Sequence, residues 1–219
     1  MTGGLLAVLA AVAAGAQAPA EAPPLCLTGL YDGSGFEMAS TLELSGNGRF
    51  RYMLSYGALD EEAEGTWRVR GDTVLLTSDP VNPPRYALIS DTAGEGEGMK
   101  ITLRPPRGLS VQYFALIATY AGGRHRALQF VEDDLVIGPD GHGEALPESV
   151  RVTLPVFDVT SDPLPVGAGR EIVVRFDPNE LGKVAFAATP LVRGESGLTF
   201  ERHGRDITFR HCSGPCLKR

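Results

Sequence analysis

The chain is predicted to be all-β, with an antiparallel meander forming a small barrel or sandwich and a second antiparallel β-rich unit behind it. Three observations carry this. Apolar and polar residues alternate on both sides of glycine-bearing turns through residues 41–77. The 27 Gly and 16 Pro fall mostly between such runs and follow no fixed period. No segment sustains helical periodicity for three turns.

Residues 1–16, MTGGLLAVLAAVAAGA, are apolar over 5–14 and then become small, with Ala14-Gly15-Ala16 matching a signal-peptidase site before Gln17. They are read as a signal peptide, although no Lys or Arg precedes the apolar run. That run falls short of the ~20 residues a spanning helix needs, so no transmembrane anchor is expected. Pro23-Pro24-Leu25-Cys26 lacks the small residues that lipoprotein processing requires before its cysteine. A periplasmic or secreted location is expected. Residues 17–25 are an Ala/Pro linker.

The meander unit is placed at 26–92. Leu42 and Leu44 alternate with Thr41, Glu43 and Ser45, and Gly46-Asn47-Gly48 turns the chain. Phe50, Tyr52, Leu54 and Tyr56 then alternate with Arg49, Arg51, Met53 and Ser55. Asp60, Glu61, Glu62 and Glu64 read as an acidic connecting loop. Trp67 and Val69 resume the alternation, Gly71-Asp72 turns, and 73–77 returns as an apolar strand.

The Gly/Glu-rich stretch 91–98 reads as the internal boundary, and 99–212 as the second unit. Within it, 99–104 alternates, and Ala121-Gly122-Gly123 joins strands at 111–120 and 124–130 as a hairpin. Residues 132–147 read as a surface excursion. Further strands are expected at 150–157, 171–176, 183–186, 191–193, 198–202 and 206–211, with one helical turn at 177–182. Residues 213–219 form a tail.

The order Gly29-x-Tyr31, Leu42-x-Leu44, Gly48-x-Phe50-x-Tyr52, Gly65-x-Trp67 and Gly71-Asp72-x-Val74-x-Leu76 resembles the lipocalin-like and copper-resistance-lipoprotein-like β-barrel domains of exported bacterial proteins. The resemblance covers 27–89, under a third of the chain. It implies a barrel scaffold and no particular activity. The cysteine pair with two-residue spacing that marks the copper-resistance group is missing here.

By parity, Phe50, Tyr52, Tyr56 and Trp67 share one apolar face. Tyr52, Tyr56 and Trp67 are the candidate walls of a small-molecule cavity, and the same residues simply filling a core is the competing reading. Arg49, Arg51, Arg68 and Arg70 occupy the opposite parity, either as a solvated face or as a cationic interaction ribbon. Of three cysteines, Cys26 and Cys212 flank the first and last strands and are the candidate disulfide, with a local Cys212 to Cys216 bond as the alternative. The four histidines, His125, His142, His203 and His211, are scattered and never at the spacing that puts two ligands on one helix face.

A formal charge of −7 argues against a nucleic-acid partner, because phosphate binding requires a cationic surface. No nucleophile elbow, zinc-protease motif, phosphate loop or dinucleotide fingerprint occurs. Neither a cofactor nor a metal is expected. The function expected is therefore non-catalytic: binding of a small apolar or amphipathic ligand, or of an envelope component. A structural or protein-interaction module with a filled core is the alternative, and a hydrolase built from dispersed residues the third reading.

Overall fold

A computed structural model describes residues 25–139, 141 and 145–212. The expected signal peptide, most of the linker, His142 and the tail with Cys216 lie outside the described residues.

The chain is all-β, and its first five strands are the expected meander: β1 (Gly29–Asp32), β2 (Met38–Leu44), β3 (Arg49–Tyr56), β4 (Leu59–Arg70) and β5 (Thr73–Ser78). Eight strands follow in a separate body: β6 (Arg85–Ala93), β7 (Met99–Arg104), β8 (Ala115–Tyr120), β9 (Arg124–Gln129), β10 (Asp134–Ile137), β11 (Ser149–Leu154), β12 (Val159–Thr160) and β13 (Arg170–Asp177). The last three are β14 (Thr189–Arg193), β15 (Leu198–Arg202) and β16 (Arg205–His211).

The closing strands go back to the first unit. The sheet order β1-β16-β15-β14-β5-β4-β3-β2 is a closed barrel in which every neighbour is next in sequence, apart from the long excursion between β5 and β14 and the β1–β16 seam that closes it. It is an eight-stranded up-and-down barrel. The expected division into 26–92 and 99–212 is corrected accordingly: β14 to β16 complete the barrel, and β6 to β13 are an insertion. A hairpin pattern says that two strands pair with each other, not which sheet they join, so sequence order alone assigned them to the nearer unit.

The insertion consists of two four-stranded sheets, β10-β7-β13-β6 and β12-β11-β8-β9. Both contribute to one apolar cluster, with Ile101, Leu103, Ile137, Ile172 and Val174 from the first sheet and Leu116, Ala118, Val150 and Val152 from the second. The barrel has its own cluster. β13 runs antiparallel to β6 but parallel to β7. Strand β10 lies inside the expected excursion at 132–147 and buries Leu135 and Ile137. The expected helical turn at 177–182 is a pair of turns, closed by bonds from Leu181 N to Pro178 O and from Lys183 N to Glu180 O.

Residues 60–64 are strand, not loop. Gly57 and Ala58 make the whole β3–β4 turn, so the acids lie in β4, with Asp60, Glu62 and Glu64 outward and Glu61 inward. β4 pairs with β3 over its first half and with β5 over its second. At Gly65, where the two pairings overlap, an added Cβ would lie 2.1 Å from Thr77 O, so only glycine allows that approach. The unpaired side of 60–64 is covered by the returning chain: Glu62 N donates to Gly182 O and Val184 N to Glu62 O, both within 2.9 Å. The strand expected at 183–186 is thus a short parallel bridge centred on Lys183.

Side chains fill the barrel. Tyr31, Phe50, Tyr52, Leu76, Leu191, Leu198 and Phe209 are all at most 1% exposed, and Phe186 from the returning segment packs on Tyr52 and Phe200. Eight strands give an interior that side chains can just fill. Trp67 is buried, with its indole N–H donating to Ser45 O at 2.9 Å, while Arg68 faces solvent. Trp67→Ala is expected to cost ~3–5 kcal/mol, and Arg68→Ala under ~0.5 kcal/mol. Urea denaturation of the two variants measures the difference, and equal losses would overturn the register.

Candidate functional site at the insertion end of the barrel

The turns at 57–58 and 203–204, the β1–β2 connection and the insertion all leave the barrel at one end. Alternation along β4 delivers Glu61 to the interior there, on the same parity as Ala63 and Trp67. Across the barrel, the tight β15–β16 turn holds His203 and Gly204, both at positive φ (52° and 70°). It presents Arg202 and His203 to Glu61.

Glu61 is 8% exposed and accepts four bonds. Arg202 donates through Nε (3.0 Å) and Nη2 (2.5 Å), His203 Nε2 lies 2.9 Å from Oε1, and the Tyr52 hydroxyl donates to Oε2 at 3.4 Å. A carboxylate offers about four lone-pair sites, so Glu61 is saturated. Burial, followed by the Glu61 charge, pushes the Tyr52 phenol up. Burial alone would lower Arg202, but its bonds to Glu61 win and raise it. The cluster joins β4 to the β15–β16 hairpin as a clamp.

Open space lies outside the barrel wall. A groove of about 590 Å³ runs over the outer face of β2, β3 and β4. Small side chains form the depression: Ala39, Thr41 and Ser55, with Met53 (61% exposed) between them. The register sets Thr41, Met53 and Glu62 in one cross-strand row, and Ala39, Ser55 and Asp60 in the next. Leu181 and Gly182 of the returning chain line its wall. A second hollow of about 240 Å³ shares Met53 and Glu62 and adds Arg51, Glu64 and Lys183, so the two form one trough.

The residues singled out in the sequence separate. Tyr52 and Trp67 belong to the barrel core, whereas Tyr56 is 39% exposed at the strand end, with the Arg205 guanidinium over its ring at 5.4 Å. These three do not wall a common cavity.

The arginines form no continuous ribbon. Arg49 is bonded to Asp79, which lowers the Asp79 carboxyl and raises Arg49. Arg51 stands in a row between Glu43 and Glu64. Arg68 and Arg70 are exposed farther along β4.

Cys26 and Cys212 are exposed free thiols, with Cys212 N bonded to Leu30 O beside the β1–β16 seam. Among the described residues, no three His, Cys, Asp or Glu side chains converge on a metal-sized site.

Sequence reasoning missed Glu61, Arg202, His203 and Met53 as partners. Parity held the signal, since Glu61 is two residues from Ala63 and six from Trp67 on the inward side. No family model, curated protein or solved structure matches the chain.

Removing one member of a buried pair strands the other. Arg202→Met is expected to cost ~2–4 kcal/mol, and the double variant Glu61→Leu/Arg202→Met to recover most of that loss. Denaturation of the two variants and the parent tests the clamp. If the single and double variants lose equally, Glu61 is not held by Arg202.

Proposed function

We propose that this is an exported, non-catalytic interaction module, in which a filled lipocalin-like barrel serves as a rigid wall and the trough between its outer face and the returning segment 181–183 receives a partner. The observation that carries the reading is where the free volume lies. Aromatic and aliphatic side chains occupy the barrel interior, while the groove of about 590 Å³ opens outside it and exposes Met53. Protein contact surfaces favour methionine, whose unbranched thioether adapts to different shapes. The saturated Glu61 supports the non-catalytic side of the reading. The up-and-down closure supports the resemblance to lipocalin-like domains, from which the chain departs by its filled interior and its inserted sandwich.

Two measurements address this reading. An apolar fluorescent probe such as N-phenyl-1-naphthylamine is expected to show no saturable binding that quenches Trp67. Stoichiometric quenching would restore the internal-ligand function. In cells of the source organism, a photo-crosslinking residue at position 53 is expected to give discrete protein adducts. The same residue at exposed position 192, on β14, is expected to give none. Equal patterns, or no adduct from 53, would end the proposal.

Export is part of the reading, supported by the apolar run at 5–14 and Ala14-Gly15-Ala16. In an oxidising compartment the proposed Cys26–Cys212 bond would tie the chain beside the β1–β16 seam. Mass analysis of the native protein is expected to find a terminus near Gln17, and non-reducing peptide mapping a cross-linked pair containing Cys26. A product starting at Met1, or an alkylatable Cys26 in the exported form, would refute these points.

A further inference from the structure

Resting on the proposed use of the trough, the geometry points to the partner segment: we infer that it is an extended peptide carrying Lys or Arg at alternate positions. Three observations converge. The first is shape. The trough floor is sheet surface running along the strands, made of small side chains and one exposed methionine, with the returning segment 181–183 as a wall, which suits an extended chain better than a helix.

The second is charge. Asp60, Glu62 and Glu64 all point outward from β4 along that floor, and no basic side chain lines the larger hollow. Arg51 and Lys183 appear only at the other end.

The third is spacing. Outward side chains two residues apart on a strand are separated by ~6.8 Å, and so are same-face side chains of an extended peptide. A segment lying along β4 would therefore set basic groups at alternate positions opposite successive carboxylates, with its intervening side chains facing away from the floor. An isolated divalent ion or a compact ligand would not use this repeat.

The chain's own cation shows how such a group sits. Lys183 pairs in parallel with Glu62 through the backbone, and its ammonium lies 2.9 Å from Glu180 Oε1. That bond raises Lys183 most, and the Glu62 and Glu64 carboxylates add to it. One end of the acidic row is thus already served by a strand-borne lysine, while the row beside Asp60 has no cation in its lining.

Binding of the blocked peptide Ac-Lys-Val-Lys-Val-Lys-NH2 to the intact protein, followed by titration calorimetry at low salt, tests the inference. Saturable binding is expected, weakening with added salt as exposed ion pairs do. Asp60→Asn/Glu62→Gln is expected to weaken it about five- to tenfold, from two exposed charge pairs. Glu195→Gln, on the β14–β15 turn at the opposite end, should leave it unchanged, and circular dichroism checks that both variants fold.

A peptide with its three lysines adjacent should bind more weakly than the alternating one. Equal binding of the two peptides, or of spermidine, would reduce the row to a counter-ion surface and overturn the inference. So would a change in the oligomeric state of the Asp60→Asn/Glu62→Gln protein alone, which would make a second copy the occupant. If position 53 crosslinks a partner in cells while no basic peptide binds, the trough still serves as the contact surface and only this inference fails.

Discussion

The structure depends on closing a sheet whose two ends are separated by a long insertion. Without β14 to β16, β1 and β5 would be open edges, each a row of unpaired backbone donors and acceptors. Joining ends across about 110 flexible residues costs on the order of 4 kcal/mol in chain entropy. Burying Leu191, Leu198, Phe200, Ile207 and Phe209 in the barrel returns ~1.5–3 kcal/mol each, so closure wins. The insertion also lowers the cost itself. Its first and last strands, β6 and β13, are neighbours, with Arg85 opposite Asp177 and ion-paired to it. Once the sandwich has formed, the flexible connection shrinks to 79–84 and 178–188.

The clamp and the trough follow from the same geometry. β4 is long enough to pair with β5 at one end and leave its other end to the returning chain, whose backbone docks on Glu62. Glu61 and Glu62 are adjacent, so alternation turns one toward Arg202 and the other toward the trough. One strand thereby carries the bond that seals the barrel and the carboxylates that face outward.

Legibility in the sequence tracked how local each cause was. The hairpins of β2 to β5 were readable because their alternation and turn glycines lie within a few residues of one another. The start of β4 was not, since its inward row reads Leu59, Glu61, Ala63, Gly65 and offers one large apolar residue in four positions. Glu61 is acceptable inside only because Arg202 meets it from 141 residues away. Likewise, 198–211 announced a hairpin but not its membership of the barrel, which rests on the pairing of β16 with β1 and of β15 with β14. Tyr56 has the inward parity and still emerges, because the strand ends where the wall does.

The sealing hairpin also leaves the ribosome after every other strand of the barrel and the insertion. Strands β1 to β5 emerge as an open sheet carrying an uncovered Glu61, and the sandwich, with both its sheets encoded between them and β14, is complete before the barrel is. A chain halted between Asp177 and Arg202 holds a complete insertion beside a sheet with two bare edges and a carboxylate that has no guanidinium to meet it. Over that interval this polypeptide is a finished domain attached to an adhesive half-product. Whatever escorts the chain during translation or translocation has that sheet to shield until the final hairpin arrives.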